Sequence, residues 1–159
     1  MNNNQELIQT FYTAFQQRDH AGMIACYHPD IHFSDPVFTD LHGRQANAMW
    51  QMLCERGKDL AVTFSDVVAT ASADGGNGRA HWEATYTFST GHQVHNVIDA
   101  TFVFQDGLII RHQDSFDLWR WTRMALGPMG LFLGWTPLVQ NRVRKTALAG
   151  LERFIAKNA

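Results

Sequence analysis

Cysteine is scarce: Cys26 and Cys54 are the only two in 159 residues. Both fall among apolar neighbours in segments with helical spacing. They read as buried free thiols of a reducing compartment, and a disulfide framework is excluded. Long apolar runs are missing too. The longest, Met124 to Trp135, is broken by Gly127, Pro128, Gly130 and Gly134 and is too short to cross a bilayer. The start, Met1-Asn2-Asn3-Asn4-Gln5-Glu6, lacks the basic and apolar regions of a signal peptide. The chain is therefore expected to be cytoplasmic, with no membrane partner. Excess positive charge is absent: the formal net charge is −2, which gives no footprint for nucleic acid. Repeats, low-complexity stretches and interdomain linkers are also lacking. With His28 read in a turn, none of the eight histidines is expected to form an HxH or HxxxH pair on one helix or strand with a carboxylate beside it. Neither a metal nor a cofactor is expected.

What remains is an ordinary globular balance, 45% hydrophobic and 18% charged, in a chain long enough for one real core. The charge is uneven. Residues 1–118 carry six basic and fourteen acidic side chains, whereas residues 119–159 carry seven basic side chains and one acid, Glu152. A basic tail on an acidic body suits packing on its own domain or on a neighbouring subunit. The division is a domain over 1–118 and a C-terminal helical extension over 119–159, packed on the same domain.

The periodicities give the elements. Leu7, Ile8, Phe11, Tyr12 and Phe15 recur at helical spacing over 5–18, and a short helix runs through Met23, Ile24 and Tyr27. His28-Pro29-Asp30 reads as a turn. Ile31, Phe33 and Asp35 share one face of a short strand, and a helix covers 44–56. Strands follow at Leu60–Ala71, Arg79–Ser89, Val94–Phe104 and Leu108–Leu118, with hairpin signals at Ser72–Gly78 and Asp106-Gly107. Trp82, Ala84, Tyr86 and Phe88 fall on one face of their strand. Asn96, Ile98, Ala100, Phe102 and Phe104 share a face of the next, and Ile110, His112, Asp114 and Phe116 a face of the last. The tail is broken by Gly and Pro to Trp135, after which Thr136-Pro137 opens a final helix. This order predicts an α+β fold with a mostly antiparallel sheet. A sheet curved around a long helix leaves a hollow, and its inward face would be aromatic with a few polar groups, as a small-molecule pocket requires.

Several stretches, in order and spacing, resemble the nuclear transport factor 2-like superfamily, which includes ketosteroid isomerase, limonene-epoxide hydrolase and the SnoaL-like polyketide cyclases. They are Phe11-Tyr12-Thr13-Ala14-Phe15 with Asp19, Phe33-Ser34-Asp35-Pro36-Val37, Gly43 before its helix, Phe102-Val103-Phe104-Gln105-Asp106-Gly107 and Ile110-Arg111-His112-Gln113-Asp114. The resemblance spans roughly residues 5–118 and implies a cone-shaped domain, its curved sheet wrapped around the N-terminal helix. It also implies a homodimer formed through the sheet's outer face. Activity follows less closely, because this fold hosts many functions. Asp35-Pro36-Val37 resembles the ketosteroid isomerase segment whose aspartate shuttles a proton. That enzyme's oxyanion hole pairs a tyrosine with a protonated aspartate. The matching positions here are Phe11 and Ala100. Tyr12 lies about 100° further round the helix, and Asp99 points to the opposite strand face. The resemblance thus implies an acid–base reaction other than steroid isomerisation by that machinery. Asp114 resembles the last-strand aspartate proposed as acid or base in SnoaL-like cyclases, and His112 shares its face.

The candidate catalytic residues are Asp35, Asp114 and His112. Asp35 is a general base or acid on one reading and the cap of the following loop on the other. Asp114 and His112 are an acid–base pair or a structural hydrogen-bonded pair. Tyr12, Trp50, Trp82, Tyr86, Asn96, Phe102 and Phe104 are the candidate substrate-binding residues, with plain core packing as their alternative. The function expected is that of an isomerase, cyclase or hydrolase acting on an apolar, ring-sized small molecule. A non-catalytic binder or a protein-interaction module of the same fold is the alternative. Arg142-Val143-Arg144-Lys145 reads as a solvated helix face. The apolar segment from Trp119 to Trp135 is too rich for a surface loop. It is expected to pack on the domain, close the cavity or meet another subunit, a membrane-surface role being the minor alternative.

Overall fold

In a computed structural model, which describes residues 2–159, the chain begins with α1 (Asn3–Gln16). Asn2 and Gln5 form a reciprocal cap there, each side chain accepting the other's backbone N–H. The stripe Ile8, Phe11, Tyr12 and Phe15 is buried. Asp19 caps the short α2 (His20–Ile24) through the Gly22 N–H. Then come β1 (Tyr27–Ser34), β2 (Leu41–His42), α3 (Arg44–Arg56), β3 (Ala61–Ala69), β4 (Asn77–Thr87), β5 (Gln93–Gln105) and β6 (Leu108–Ser115). Three helices close the chain: α4 (Leu118–Leu126), α5 (Pro128–Leu133) and α6 (Pro137–Lys157).

The six strands form one sheet in the order β2-β1-β6-β5-β4-β3. All neighbours are antiparallel except β1 and β6, which are parallel. The α+β architecture expected from the sequence is therefore present. Alternation along β5 is complete, with Val94, Asn96, Ile98, Ala100, Phe102 and Phe104 all buried. Ile98, Ala100, Phe102 and Phe104 meet α1 and α3 in one core, to which α6 adds Leu151 and Phe154, while Val94 packs with Leu118, Trp121 and Ala125 of α4 in a second cluster. Arg56 of α3 lies over the Phe154 ring, 5.5 Å from its centroid.

Four local expectations are corrected. His28-Pro29-Asp30 lies inside β1 rather than in a turn. Tyr27 pairs with Ile109 and His32 with Arg111, so β1 spends five steps where β6 spends two, and Pro29 falls in the irregular stretch. The two-residue β2 was not foreseen. In β6, Ile110 does not share the inward face with His112. Phe104 pairs with Ile109 and Val103 with Arg111, so Ile110 is the extra residue of a bulge and Ile109 is buried instead. Finally, β6 ends at Ser115, and Asp117 caps α4 by accepting the Arg120 N–H at 3.0 Å.

A second irregularity marks the sheet's far edge. The β3–β4 register shifts between Ser65 and Val68, where Asp66 takes a positive φ of 56°. In the C-terminal segment α5 rests on α4 through glycine. A Cβ on Gly130 would stand 1.9 Å from the Thr122 carbonyl oxygen. This contact seats the backbone and leaves Met129, Leu131, Phe132 and Leu133 outward.

The β3–β4 turn supplies a stability test. Gly75 has φ +116°, and a Cβ there would lie 1.9 Å from the Phe104 carbonyl oxygen. Its own carbonyl accepts from Asn4 Nδ2 at 2.9 Å, which ties the turn to α1. Gly75→Ala is expected to lose on the order of 2 kcal/mol or more in urea unfolding. An unchanged midpoint would contradict this account of the turn.

Candidate active site

The mouth of the site forms where β1 ends beside β6. Phe33 pairs with His112 and Ser34 with Gln113, so the chain leaves β1 at Asp35 alongside Asp114. Pro36 then turns it away from the ladder. Asp35 Oδ1 accepts the Val37 N–H at 2.7 Å and the Phe38 N–H at 2.6 Å, and the Asp35 N–H donates to the Phe38 carbonyl at 2.8 Å. Asp35 is thus the cap of the 36–38 loop, one of its two sequence readings. Burial pushes its pKa up to about 7, against the pull of the two loop N–H groups and with help from the Asp114 charge. Asp35 and Asp114 both line an open cleft of about 440 Å³, together with Ser34, Pro36, Thr39, Gln113, Ser115 and Phe116.

Behind the cleft, Asp114 begins a chain of buried hydrogen bonds. Its Oδ1 accepts from Trp82 Nε1 at 3.2 Å and from His112 Nε2 at 2.9 Å. His112 Nδ1 is 2.7 Å from the Tyr27 hydroxyl, which accepts from Trp50 Nε1 at 2.8 Å. Indole N–H groups only donate and an ionised Asp114 only accepts, and these two ends together fix the direction of the chain. Tyr27 takes the Trp50 proton on its oxygen and gives its own to His112 Nδ1, and His112 gives its Nε2 proton to Asp114. A neutral imidazole satisfies every link. An imidazolium would leave the Tyr27 proton without an acceptor. Around this chain the Phe11, Phe33, Trp50 and Phe102 rings all lie within 6 Å of the imidazole, centroid to centroid. The second oxygen of each aspartate has no hydrogen-bond partner among the described residues.

The structure thus brings Asp35, Asp114 and His112 together. The other expectations fare differently. Tyr12, Trp50, Phe102 and Phe104 do not line the cleft between the aspartates. They are at most 2% exposed and pack ring against ring, so the aromatic hollow is filled by its own walls. Trp82 reaches the site only through its bond to Asp114. The Tyr12 hydroxyl has no partner. Burial, and secondarily Asp114, raise its pKa well above the ordinary phenol value. Tyr86 accepts from Trp121 Nε1 at 2.8 Å, and its pKa is raised by burial and by the charge of Asp35, so its phenol stays a donor. Asn96 is buried on the inward face of β5, and its amide makes no side-chain hydrogen bond among the described residues. Asp99 is on the outer face as expected, bonded to His81 Nδ1 at 3.0 Å, and Ala100 stands opposite Asp114.

Sequence reasoning missed Tyr27, which it placed in the stripe of a short helix. The available signal was that a buried tyrosine hydroxyl needs a partner. It also missed a surface group of three donors. His32 and His42 pair across β1 and β2, Asp40 Oδ1 is 2.8 Å from His42 Nε2, and the ligating atoms of all three lie within 4.8 Å of one another. The hydrogen bond from His42 lowers the Asp40 pKa, with smaller help from the charges of His32 and of Arg111, which pairs with His32 on β6.

Comparison with known proteins adds the following. The profile of the SnoaL-like domain family matches residues 8–112. An NTF2-like protein of unknown function from Burkholderia pseudomallei superimposes with a TM-score of 0.64 at 18% identity, covering 78% of this chain and 98% of that one. A candidate polyketide cyclase of Xanthomonas campestris gives 0.60 at 21%, with 77% and 96% covered. An LEH-like epoxide hydrolase of Mycobacterium tuberculosis gives 0.58 at 16%, with 83% and 96% covered. At such identities the likeness concerns the fold. No functionally curated protein matches the chain in sequence.

Proposed function

The chain belongs to the SnoaL-like domain family, and from that premise we propose an acid–base enzyme that moves a proton on a small carbonyl compound or opens an epoxide with water. The observation that carries this reading is the meeting of two carboxylates in different environments at one cleft. Asp35 is held by loop N–H groups with its pKa near 7, and Asp114 is held by an indole and an imidazole. A cleft of about 440 Å³ is the size of a small-molecule site. Pro36 and Phe116 would face the apolar part of a ring-sized substrate, and Ser34 and Thr39 its oxygens.

In this mechanism Asp35 is the base. Its free oxygen takes a proton from the carbon beside the carbonyl, or from the attacking water. A pKa near 7 leaves it partly ionised at neutral pH, where a general base works best. Asp35 then returns that proton to a second carbon or to the opened oxygen of the substrate, and the Asp114 charge beside it favours the protonated form through which it passes. Trp50, Tyr27 and His112 fix the position of Asp114 through the directional chain. Tyr86 and Asn96 are not among the cleft-lining residues, so the donors left to stabilise a developing oxyanion are the Ser34, Thr39 and Ser115 hydroxyls and the Gln113 amide.

The test is turnover of cyclic ketones, enones and epoxides found by ligand screening. With Asp35 as base, kcat/KM rises with pH through about 7. Asp35→Asn and Asp114→Asn each lower it by roughly a hundredfold or more. Turnover unchanged in both variants removes the mechanism. The loop-capping role of Asp35 and the filled aromatic interior favour a second reading, a non-catalytic binder. That reading holds if ligands bind in the cleft and no variant affects any conversion.

A further inference from the structure

The segment joining α5 to α6 carries large apolar side chains that nothing in the fold covers. Phe132 is 70% exposed, Trp135 61% and Leu138 81%, and Met129, Leu131 and Leu133 are each about half exposed. A water-facing surface loop has no use for them.

The backbone beneath them is prepared for a dry environment. Proline stands at the first position of both α5 and α6, Pro128 and Pro137, which removes two N–H groups from the helix starts. The Gly127 carbonyl accepts from Leu131 N–H, the Gly130 carbonyl from Gly134 N–H and the Gly134 carbonyl from Gln140 Nε2. The Leu133 carbonyl accepts both the N–H and the hydroxyl of Thr136. The two indoles complete the set, with Trp119 Nε1 donating to the Leu131 carbonyl at 3.3 Å and Trp135 Nε1 to the Phe132 carbonyl at 3.1 Å. Both indoles and several carbonyls of this tip therefore keep a partner on leaving water, which lowers the cost of entering hydrocarbon surroundings.

Charge selects the partner. Leu138, Arg142 and Lys145 are spaced i, i+4, i+7 on α6 and all exposed, so they share one stripe. At about 1.5 Å per residue, the cations follow Leu138 by roughly 6 and 10 Å. With the helix entering end-on, its first turn reaches the acyl layer while both cations stay at headgroup level. The segment 119–159 has only one acid, Glu152, among seven basic residues.

We propose that this tip is a docking site for an anionic lipid surface. Phe132, Trp135 and Leu138 enter the acyl region, and Arg142 and Lys145 bind headgroup phosphates. Docking also sets the orientation of the cleft. Arg144 of the same helix donates through Nε to the Pro36 carbonyl at 2.8 Å, one residue from Asp35, so α6 ties the lipid-facing tip to the mouth of the site.

The experiment is co-sedimentation of the full chain with vesicles of phosphatidylcholine alone and of equimolar phosphatidylglycerol and phosphatidylcholine, followed also by tryptophan emission. The wild-type protein binds the anionic vesicles with a blue shift, and added salt weakens binding. Phe132→Asp combined with Leu138→Asp lowers partitioning by roughly tenfold or more on both vesicles. Arg142→Glu combined with Lys145→Glu lowers it roughly tenfold on anionic vesicles only. All four positions are exposed, and unchanged circular dichroism confirms folding. A wild-type protein that stays in the supernatant with both vesicles overturns the proposal. So does wild-type-level binding to anionic vesicles by both double variants, or a solution dimer that Phe132→Asp with Leu138→Asp splits into monomers.

Discussion

Asp35→Asn is expected to melt higher than the wild-type protein at pH 8, and the difference is expected to shrink toward pH 4. The folded-state pKa of Asp35 is raised from 3.8 to about 7. A carboxyl group shifted upward is more easily ionised in the unfolded chain. Its contribution to stability is complete below the unfolded value and is lost as pH rises from 4 through 7. The loss at pH 8 is on the order of 2–4 kcal/mol, discounted for the partial exposure of the side chain. An asparagine keeps an oxygen for the Val37 and Phe38 N–H groups but carries no charge to bury. On the proposed mechanism the variant trades chemistry for stability, as where a group is retained for its work. Thermal melts of both proteins across this pH range decide the matter. Curves that stay parallel would mean that the burial of Asp35 does not strain the fold.

His112→Ala is expected to be among the most destabilising single changes in the chain, on the order of 4 kcal/mol in urea unfolding. His112 is fully buried among Phe11, Phe33, Trp50 and Phe102, so truncation leaves a cavity. It also strands the Tyr27 proton and takes one donor from Asp114. Against a typical domain stability of about 5–15 kcal/mol, such a loss endangers folding itself. Tyr27→Phe separates the two costs. It keeps the ring volume but removes the acceptor of Trp50 and the donor to His112, for about 1–3 kcal/mol. If Tyr27→Phe is neutral, the chain of hydrogen bonds is not what holds the imidazole.

Strand periodicity made the heart of the site readable from the sequence. A repeat of two put His112 and Asp114 on one face and Asp99 on the other, and the structure agrees. Helical spacing identified the α1 stripe in the same way. What escaped was whatever depends on partners distant in the chain. A two-residue β2 has no pattern of its own, so the pairing of His32 with His42 could not be seen. The bulge at Ile110 reflects the geometry of Phe104 and Val103 on the neighbouring strand. Aromatic residues were legible as inward-facing, but pattern alone cannot distinguish a lined pocket from a packed core. Here the volumes of Tyr12, Trp50 and Phe102 fill the space. Asp117 was taken as the end of a strand because the alternation ran on to Leu118, yet its side chain serves the start of a helix.

The kink at Asp66 has one more consequence, taken together with the brevity of β2. These two strands are the borders of the sheet, and an unprotected border recruits further strands into fibrils. One border is bent out of line by a left-handed residue, and the other offers too few peptide groups to template a neighbour. Border-to-border pairing between copies is therefore disfavoured at both ends of the sheet, which leaves side-chain surfaces as the easier route to any association.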